Sequence, residues 1–91
     1  MQKVQSDSLD RLMEVIAKLN TKEECQNFFE DICTIKELLD MAQRLDVAIL
    51  LRQGVNYQNI TQQVNVSTAT ISRVSRALNY GTGGYANALD K

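Results

Sequence analysis

The stretch from Asn56 to Tyr80, NYQNITQQVNVSTATISRVSRALNY, constrains the fold more than any other part of the chain. Six of its apolar residues have the spacing that closes a small core between two crossed helices: Ile60, Val64, Val66, Ile71, Val74 and Leu78. Asn65 lies where the chain must turn sharply, and asparagine tolerates a positive φ. Ser67 can then cap the second helix. The stretch therefore predicts a helix-turn-helix, with helices over about 57–64 and 67–80.

The second of these helices carries small and hydroxyl residues, two arginines and no acid: Thr68, Ala69, Thr70, Ser72, Arg73 and Arg76. Such a face fits a DNA major groove, where thymine methyls accept Ala and Thr and where Arg pairs with guanine or phosphate. Two packed helices with a polar surface, or a protein-binding form of the same motif, would explain the apolar positions equally well. Neither alternative explains why carboxylates are missing. The pattern favours binding to double-stranded DNA.

Charge is segregated along the chain, although the formal net charge is only −1. Residues 1–46 contain six basic and ten acidic residues, a net charge of −4, whereas residues 47–91 contain four basic residues and one acid, a net charge of +3. The basic part coincides with the motif, as expected for a nucleic-acid binder. The small excess predicts weaker non-specific DNA binding than a strongly basic domain shows.

Composition predicts one globular, all-helical domain. The chain has 91 residues, is 44% hydrophobic and contains no proline. No apolar run approaches the roughly 18 residues of a membrane span, and the first residues lack a signal-like apolar core, so we expect a cytoplasmic protein. Cys25 and Cys33, without any histidine, match no usual metal site, and we interpret them as small core residues rather than a disulfide.

The chain before the motif predicts three amphipathic helices, over about 6–20, 22–32 and 35–53. Capping boxes at Thr21 with Glu24 and at Thr34 with Glu37 begin the second and third, and Gly54 suits the end of the third. Residues 1–5 are expected to fray. The predicted organisation is residues 1–55 as dimerisation helices, residues 56–80 as the reading head and residues 81–91 as a tail, all within one domain.

These three helices each have a broad apolar stripe, which the small motif cannot cover. On the third helix the stripe contains Ile35, Leu38, Leu39, Ala42, Leu45, Ile49 and Leu50. A second copy of the chain is the simplest cover, so we expect a homodimer. Two-fold symmetry would then place two recognition helices in successive major grooves, roughly 34 Å apart, on a near-palindromic site.

From Thr34 to Tyr80 the sequence resembles the Trp repressor superfamily, and within it the small bacterial YerC/YecD group of Trp-repressor-like proteins. The resemblance is strongest over Leu50-Leu51-Arg52 and Thr70-Ile71-Ser72-Arg73. It implies an intertwined, all-helical homodimer with a helix-turn-helix, acting as a transcription regulator.

The resemblance also implies which residues touch DNA. Thr68, Ala69, Thr70 and Ser72 would face base edges. Gln58, Thr61 and Gln62 would touch phosphates, with Asn56 and Tyr57 close by. Arg73 would contact a phosphate. Arg76, which is particular to this chain, would contact guanine or phosphate; its alternative is a solvated arginine. For Tyr57 the alternative is an aromatic lid over the motif's core.

This sequence differs from the Trp repressor at the residues of that protein's tryptophan site. That site holds the ligand between the central and recognition helices with two arginines, a glycine and a serine. Here one arginine matches Arg73, while the other falls on Gln43, the glycine on Val74 and the serine on Ala77. Arg44 points about 100° away from Gln43. A clamp reduced to one arginine is a poor carboxylate site. We therefore predict no tryptophan binding and no cofactor, although another small-molecule effector remains open.

Two further function classes compete with a DNA-binding regulator. The acidic N-terminal half suggests a helix-turn-helix adaptor that binds a protein of the transcription machinery. An enzyme is disfavoured because the sequence has no histidine and no nucleophile–base pair at a recognisable spacing. No glycine-rich phosphate loop precedes a helix either.

Overall fold

The computed structural model describes residues 6–91, and this part of the chain forms six α-helices and no strand. They are α1 (Asp7–Ala17), α2 (Lys22–Ile32), α3 (Ile35–Arg52), α4 (Tyr57–Gln63), α5 (Thr68–Tyr80) and α6 (Gly84–Leu89). The all-helical prediction is confirmed. Residues 1–5, predicted to fray, lie outside the described residues. None of the described helices combines the length and hydrophobicity needed to cross a bilayer.

The chain forms two compact units, one ending at Ile35 and the other spanning Lys36–Lys91. The predicted organisation divides the chain by role, with residues 1–55 for dimerisation and residues 56–80 for reading DNA, and it stays a prediction. Nearly all of α3 belongs to the same unit as α4 and α5, because the C-terminal half of α3 supplies part of their core.

In the first unit, local hydrogen bonds set where the helices begin. The Ser6 hydroxyl accepts the Leu9 N–H at 3.0 Å. The Thr21 hydroxyl accepts the Glu24 N–H at 3.0 Å, and the Glu24 carboxylate accepts the Thr21 N–H at 3.3 Å, which confirms the first capping box. Neither α1 nor α2 has a buried residue.

The core of the second unit consists of Val47, Ala48, Ile60, Ile71 and Val74, all essentially inaccessible to solvent. Val64, Val66 and Leu78 pack against it, so all six core residues predicted from the motif take part. The contribution of α3 was not predicted. Val47 and Ala48 were absent from the apolar stripe, yet they are the two buried residues of that helix.

The predicted stripe of α3 lies largely away from this core. Leu45 and Val47 are two positions apart, hence about 200° apart around the helix, so they face opposite sides. Large apolar residues remain 38–77% exposed on the single chain: Met13, Val15, Ile32, Ile35, Leu39, Met41 and Leu45. We call these seven residues the exposed apolar set.

Two different turns flank α4. Gly54 has φ +82°, the Val55 N–H donates to the Leu50 carbonyl, and the Gly54 N–H donates to the Leu51 carbonyl. This Schellman arrangement confirms the predicted cap. The other turn corrects our expectation for Asn65, because no non-glycine residue among 6–91 has a positive φ. Instead the Val66 N–H donates to the Val64 carbonyl at 2.8 Å, which is the hydrogen bond of a three-residue γ-turn centred on Asn65.

Residues 85–91 are not the tail that we predicted. Helix α6 spans Gly84–Leu89, its Tyr85 packs against the core, and Asp90 forms an ion pair with Arg52 at 2.7 Å. The prediction failed because the segment is too short for a helical apolar stripe to be recognised. Its partners lie on α3 and α5, out of reach of any local pattern.

Helix α5 ends at a glycine that has no room for a side chain. A Cβ at Gly81 would lie 2.4 Å from the Ala77 carbonyl oxygen, which accepts the Gly81 N–H at 2.9 Å. We expect Gly81→Ala to lower the free energy of unfolding by about 1–3 kcal/mol, because backbone must move to relieve the overlap. Urea denaturation measures this change. The matched control is Gly84→Ala, whose Cβ would meet only the Thr82 hydroxyl at 3.8 Å. Equal losses in the two variants would contradict the prediction.

Candidate nucleic-acid interface

Helices α4 and α5 are positioned by their caps and by the core beneath them. The Asn56 side-chain oxygen accepts the Asn59 N–H at 2.8 Å, and the Ser67 hydroxyl accepts the Thr70 N–H at 3.2 Å. Ile60 of α4 and both Ile71 and Val74 of α5 are buried in the shared core. Because these three buried side chains hold α4 and α5 against the core, the side of α5 that lies opposite Ile71 and Val74 faces solvent.

The exposed side of α5 brings together four of the predicted DNA-contacting residues. At 100° per residue, Ser72, Arg73 and Arg76 lie within about 60° of Ala69 around the helix axis. All four side chains are exposed. Thr68 is exposed as well, about 100° to one side of Ala69 and in the first turn, where recognition helices commonly touch base edges.

The structure places Thr70 differently from the other predicted base-reading residues. It is half-buried, about 100° to the other side of Ala69, and its hydroxyl lies 3.3 Å from the Ser67 hydroxyl. Thr70 therefore belongs to the cap of α5 as much as to the outward face.

On and before α4, four predicted residues are exposed and one is half-buried. Asn56, Tyr57, Gln58 and Gln62 face solvent, although Asn56 uses its side-chain oxygen as the cap. The half-buried Thr61 donates its hydroxyl proton to the Gln58 carbonyl at 2.7 Å, which leaves the oxygen only as an acceptor. Tyr57 is 38% exposed.

The charge of this surface is positive, which suits an anion. No Asp or Glu occurs between Asp46 and Asp90, and Asp90 pairs with Arg52. Among residues 6–91, neither Arg73 nor Arg76 takes part in any of the ion pairs found. Their guanidinium groups are thus available to an anion outside the chain.

The neighbourhood of the expected tryptophan site is filled. Val74, at the position where the resemblance has a glycine, is 1% exposed and part of the core. A cavity of about 290 Å³ has a lining that does not include Val74; it consists of Leu51, Arg52, Ser75, Leu78, Asn79 and Ala86. This volume is at the lower end of ordinary ligand pockets. Its single arginine already holds Asp90 at 2.7 Å.

Neither metal ligation nor a disulfide is visible in the part of the chain that the structure describes. Residues 6–91 contain no cluster of three or more potential metal ligands. Cys25 and Cys33 are both free thiols and half-buried.

One exposed residue on this face was missed by the sequence analysis. Tyr80, the last residue of α5, is 83% exposed and lies within about 20° of Ala69 around the axis. Its spacing of four residues from Arg76 and seven from Arg73 was the signal that could have revealed it.

Comparisons with known proteins agree on one family. The family model described as "Trp repressor protein" matches residues 7–91. The chain is 49% identical over 89 residues to YerC of Bacillus subtilis (strain 168), itself described as uncharacterized, and the match covers 98% of this chain and 86% of YerC.

Solved structures match the fold over nearly the whole chain. A TrpR-like protein from Eubacterium eligens ATCC 27750 superposes with a TM-score of 0.89 and 42% identity, covering 94% of this chain and 89% of that one. A candidate Trp repressor from Staphylococcus aureus superposes with a TM-score of 0.88 and 44% identity, covering 94% and 86% respectively.

Proposed function

The chain belongs to the Trp repressor family, and from that membership we propose that it is a sequence-specific, dimeric DNA-binding regulator of transcription. The family consists of regulators without catalytic activity, and the chain is accordingly not an enzyme. Acting on chromosomal DNA, it would work in the cytoplasm.

The exposed face of α5 is the observation that carries this proposal. This face presents small side chains next to Arg73 and Arg76 and has no acid. The helix is held in place by Ile71 and Val74, which are buried on its opposite side. Charge opposite to that of DNA supplies affinity, and side chains on a rigid helix supply a fixed geometry for reading bases.

Each predicted residue has a distinct role in this proposal. Thr68, Ala69 and Ser72 reach base edges, with Thr70 at the margin because of its contact with the cap. Arg73 contacts a phosphate, and Arg76 contacts guanine or a phosphate. The supporting phosphate contacts come from the start of the motif and from α4, through Asn56, Tyr57, Gln58, Thr61 and Gln62. Phosphate contacts of this kind set the register of the protein on the duplex.

The exposed apolar set supports the dimer. Ile35 is 77% exposed and Leu39 is 57% exposed, although both follow the helical spacing of residues that normally pack. A second copy would remove such side chains from water, and each square ångström of apolar area so buried is worth about 25 cal/mol. The dimer would also align two copies of α5 on one duplex.

The proposal is tested by selecting binding sites from genomic DNA fragments and measuring affinity for the best site at several salt concentrations. We expect an enriched near-palindrome, bound at least about a thousandfold more tightly than random DNA. Uniform, weak and steeply salt-dependent binding would contradict a sequence-specific regulator. A stable protein partner recovered together with such weak binding would favour the adaptor alternative.

Tryptophan is expected to leave the affinity for the selected site unchanged. The branched side chain of Val74 stands where the resemblance has a glycine, and Gln43 replaces one of the two arginines that would hold the carboxylate. Titrating DNA with the protein, with and without millimolar tryptophan, measures the effect, and equal concentrations of leucine serve as the control. A tenfold gain in affinity with tryptophan alone would overturn this prediction.

A further inference from the structure

Tyr80 is an aromatic residue whose exposure the packing of the chain does not explain. It is 83% exposed at the end of α5, whereas Tyr85, five residues later, packs against the core. Helix α5 keeps its hydrogen-bonding pattern to this point, because the Gly81 N–H donates to the Ala77 carbonyl at 2.9 Å. The phenol therefore projects into solvent from a fixed backbone position.

The direction of Tyr80 matches that of the proposed DNA face. It lies within about 20° of Ala69 and about 40° of Arg76 around the helix axis. Along the axis it is about 16 Å beyond Ala69, since each residue rises about 1.5 Å. A major groove is about 12 Å wide and about 8.5 Å deep, so with Ala69 at the bases Tyr80 lies outside the groove, where the sugar–phosphate backbone and not a base edge is within reach.

We propose that Tyr80 extends the interface by donating its hydroxyl proton to a phosphate oxygen of one DNA strand, next to Arg76. This inference rests on the proposed function and adds a contact to the same surface. Tyrosine is among the residues that bind DNA phosphates, and such contacts position the protein without reading sequence. The charge of the surroundings is complementary, because no acid lies anywhere between Asp46 and Asp90.

The alternative occupant of this position is a second copy of the chain. Tyr80 is far along the sequence from the exposed apolar set, which spans residues 13–45, and it is flanked on its own face by the cation Arg76. The Tyr80 hydroxyl is a neutral hydrogen-bond donor, and the guanidinium of Arg76 on the same face takes no part in the ion pairs found in residues 6–91. Burying these two polar groups in an apolar interface would leave them without partners, whereas an anion would pair with both.

Tyr80→Phe tests the contact, with the DNA site selected by the wild-type chain and a scrambled duplex of equal length as probes. We expect affinity for both duplexes to fall by the same factor, about five- to tenfold, while the dependence on salt stays unchanged because no charge is lost. Tyr85→Phe, which removes a phenol hydroxyl from α6 instead of α5, is the matched control and should bind both duplexes with the affinity of the wild type. The dimer dissociation constant of Tyr80→Phe should equal that of the wild type.

The outcomes separate this inference from the proposed function. Unchanged affinity of Tyr80→Phe, with specific binding by the wild-type chain, overturns the inference alone. Weakened dimerisation that accounts for the loss of affinity overturns it in favour of a protein contact. Absence of specific binding by the wild-type chain overturns both.

Discussion

Replacing Arg73 and Arg76 together by alanine is expected to lower affinity for the selected DNA site by at least about a hundredfold. Each contact of this kind is worth about 1–3 kcal/mol, and about 1.4 kcal/mol corresponds to a tenfold change. Because a dimer loses four guanidinium groups, the slope of log affinity against log salt should fall by up to about four. Filter binding over a series of salt concentrations measures both quantities.

The single variants distinguish the roles of the two arginines. If both contact phosphates, each variant weakens binding to every sequence by a similar factor. If Arg76 reads a guanine, Arg76→Ala also relaxes the preference at one base pair. The fold should remain intact, because both side chains are exposed and outside the ion pairs found in residues 6–91.

The matched control for the double variant is Lys18→Ala with Lys22→Ala, which removes two exposed cations from the other compact unit. If the face of α5 governs binding, this control should change affinity only slightly, because charges outside a protein–DNA interface are screened at physiological salt. Equal losses in the two double variants would mean that net charge, and not the face of α5, governs binding.

Leu39→Glu is expected to raise the dissociation constant of the dimer by at least about a hundredfold. Leu39 belongs to the exposed apolar set and is 57% exposed on the single chain. A carboxylate buried there in an apolar interface, with no partner, costs several kcal/mol. Sedimentation at concentrations where the wild-type chain is dimeric measures the change.

Gln53→Glu is the matched control, since it introduces the same charge at an exposed position outside the exposed apolar set. The wild-type dissociation constant should be retained in this variant. A Leu39→Glu chain that remains fully dimeric would exclude this part of α3 from the interface.

Local hydrogen bonds explain why most helix boundaries could be predicted. Ser6, Thr21, Asn56 and Ser67 each accept an N–H three residues further along the chain, so both partners are visible in one short segment. At the end of α3, likewise, the Gly54 N–H donates to the carbonyl three residues earlier and the Val55 N–H donates to the carbonyl five residues earlier. Patterns of this length are present in the sequence itself.

The candidate interface could be predicted for the same reason. The side of α5 that faces solvent follows from the burial of Ile71 and Val74, which the helical period places opposite Arg73 and Arg76. Tyr80 lies on this side as well, four residues beyond Arg76, the last of the predicted contacts. The half-buried position of Thr70 depends on its contact with Ser67 and needed the structure.

The sequence by itself determined helices α1 to α5, the caps that begin α1, α2, α4 and α5, and the outward face of the helix-turn-helix, because each depends on residues within about two helical turns. Only the tertiary structure decided which side of α3 is buried, since that helix is apolar on both sides. Val47 and Ala48 are the residues of α3 that lie in the core shared with α4 and α5. The tertiary structure also decided that the segment after α5 forms a helix, Gly84–Leu89. The Arg52–Asp90 ion pair joins residues 38 positions apart, and no local pattern contains both.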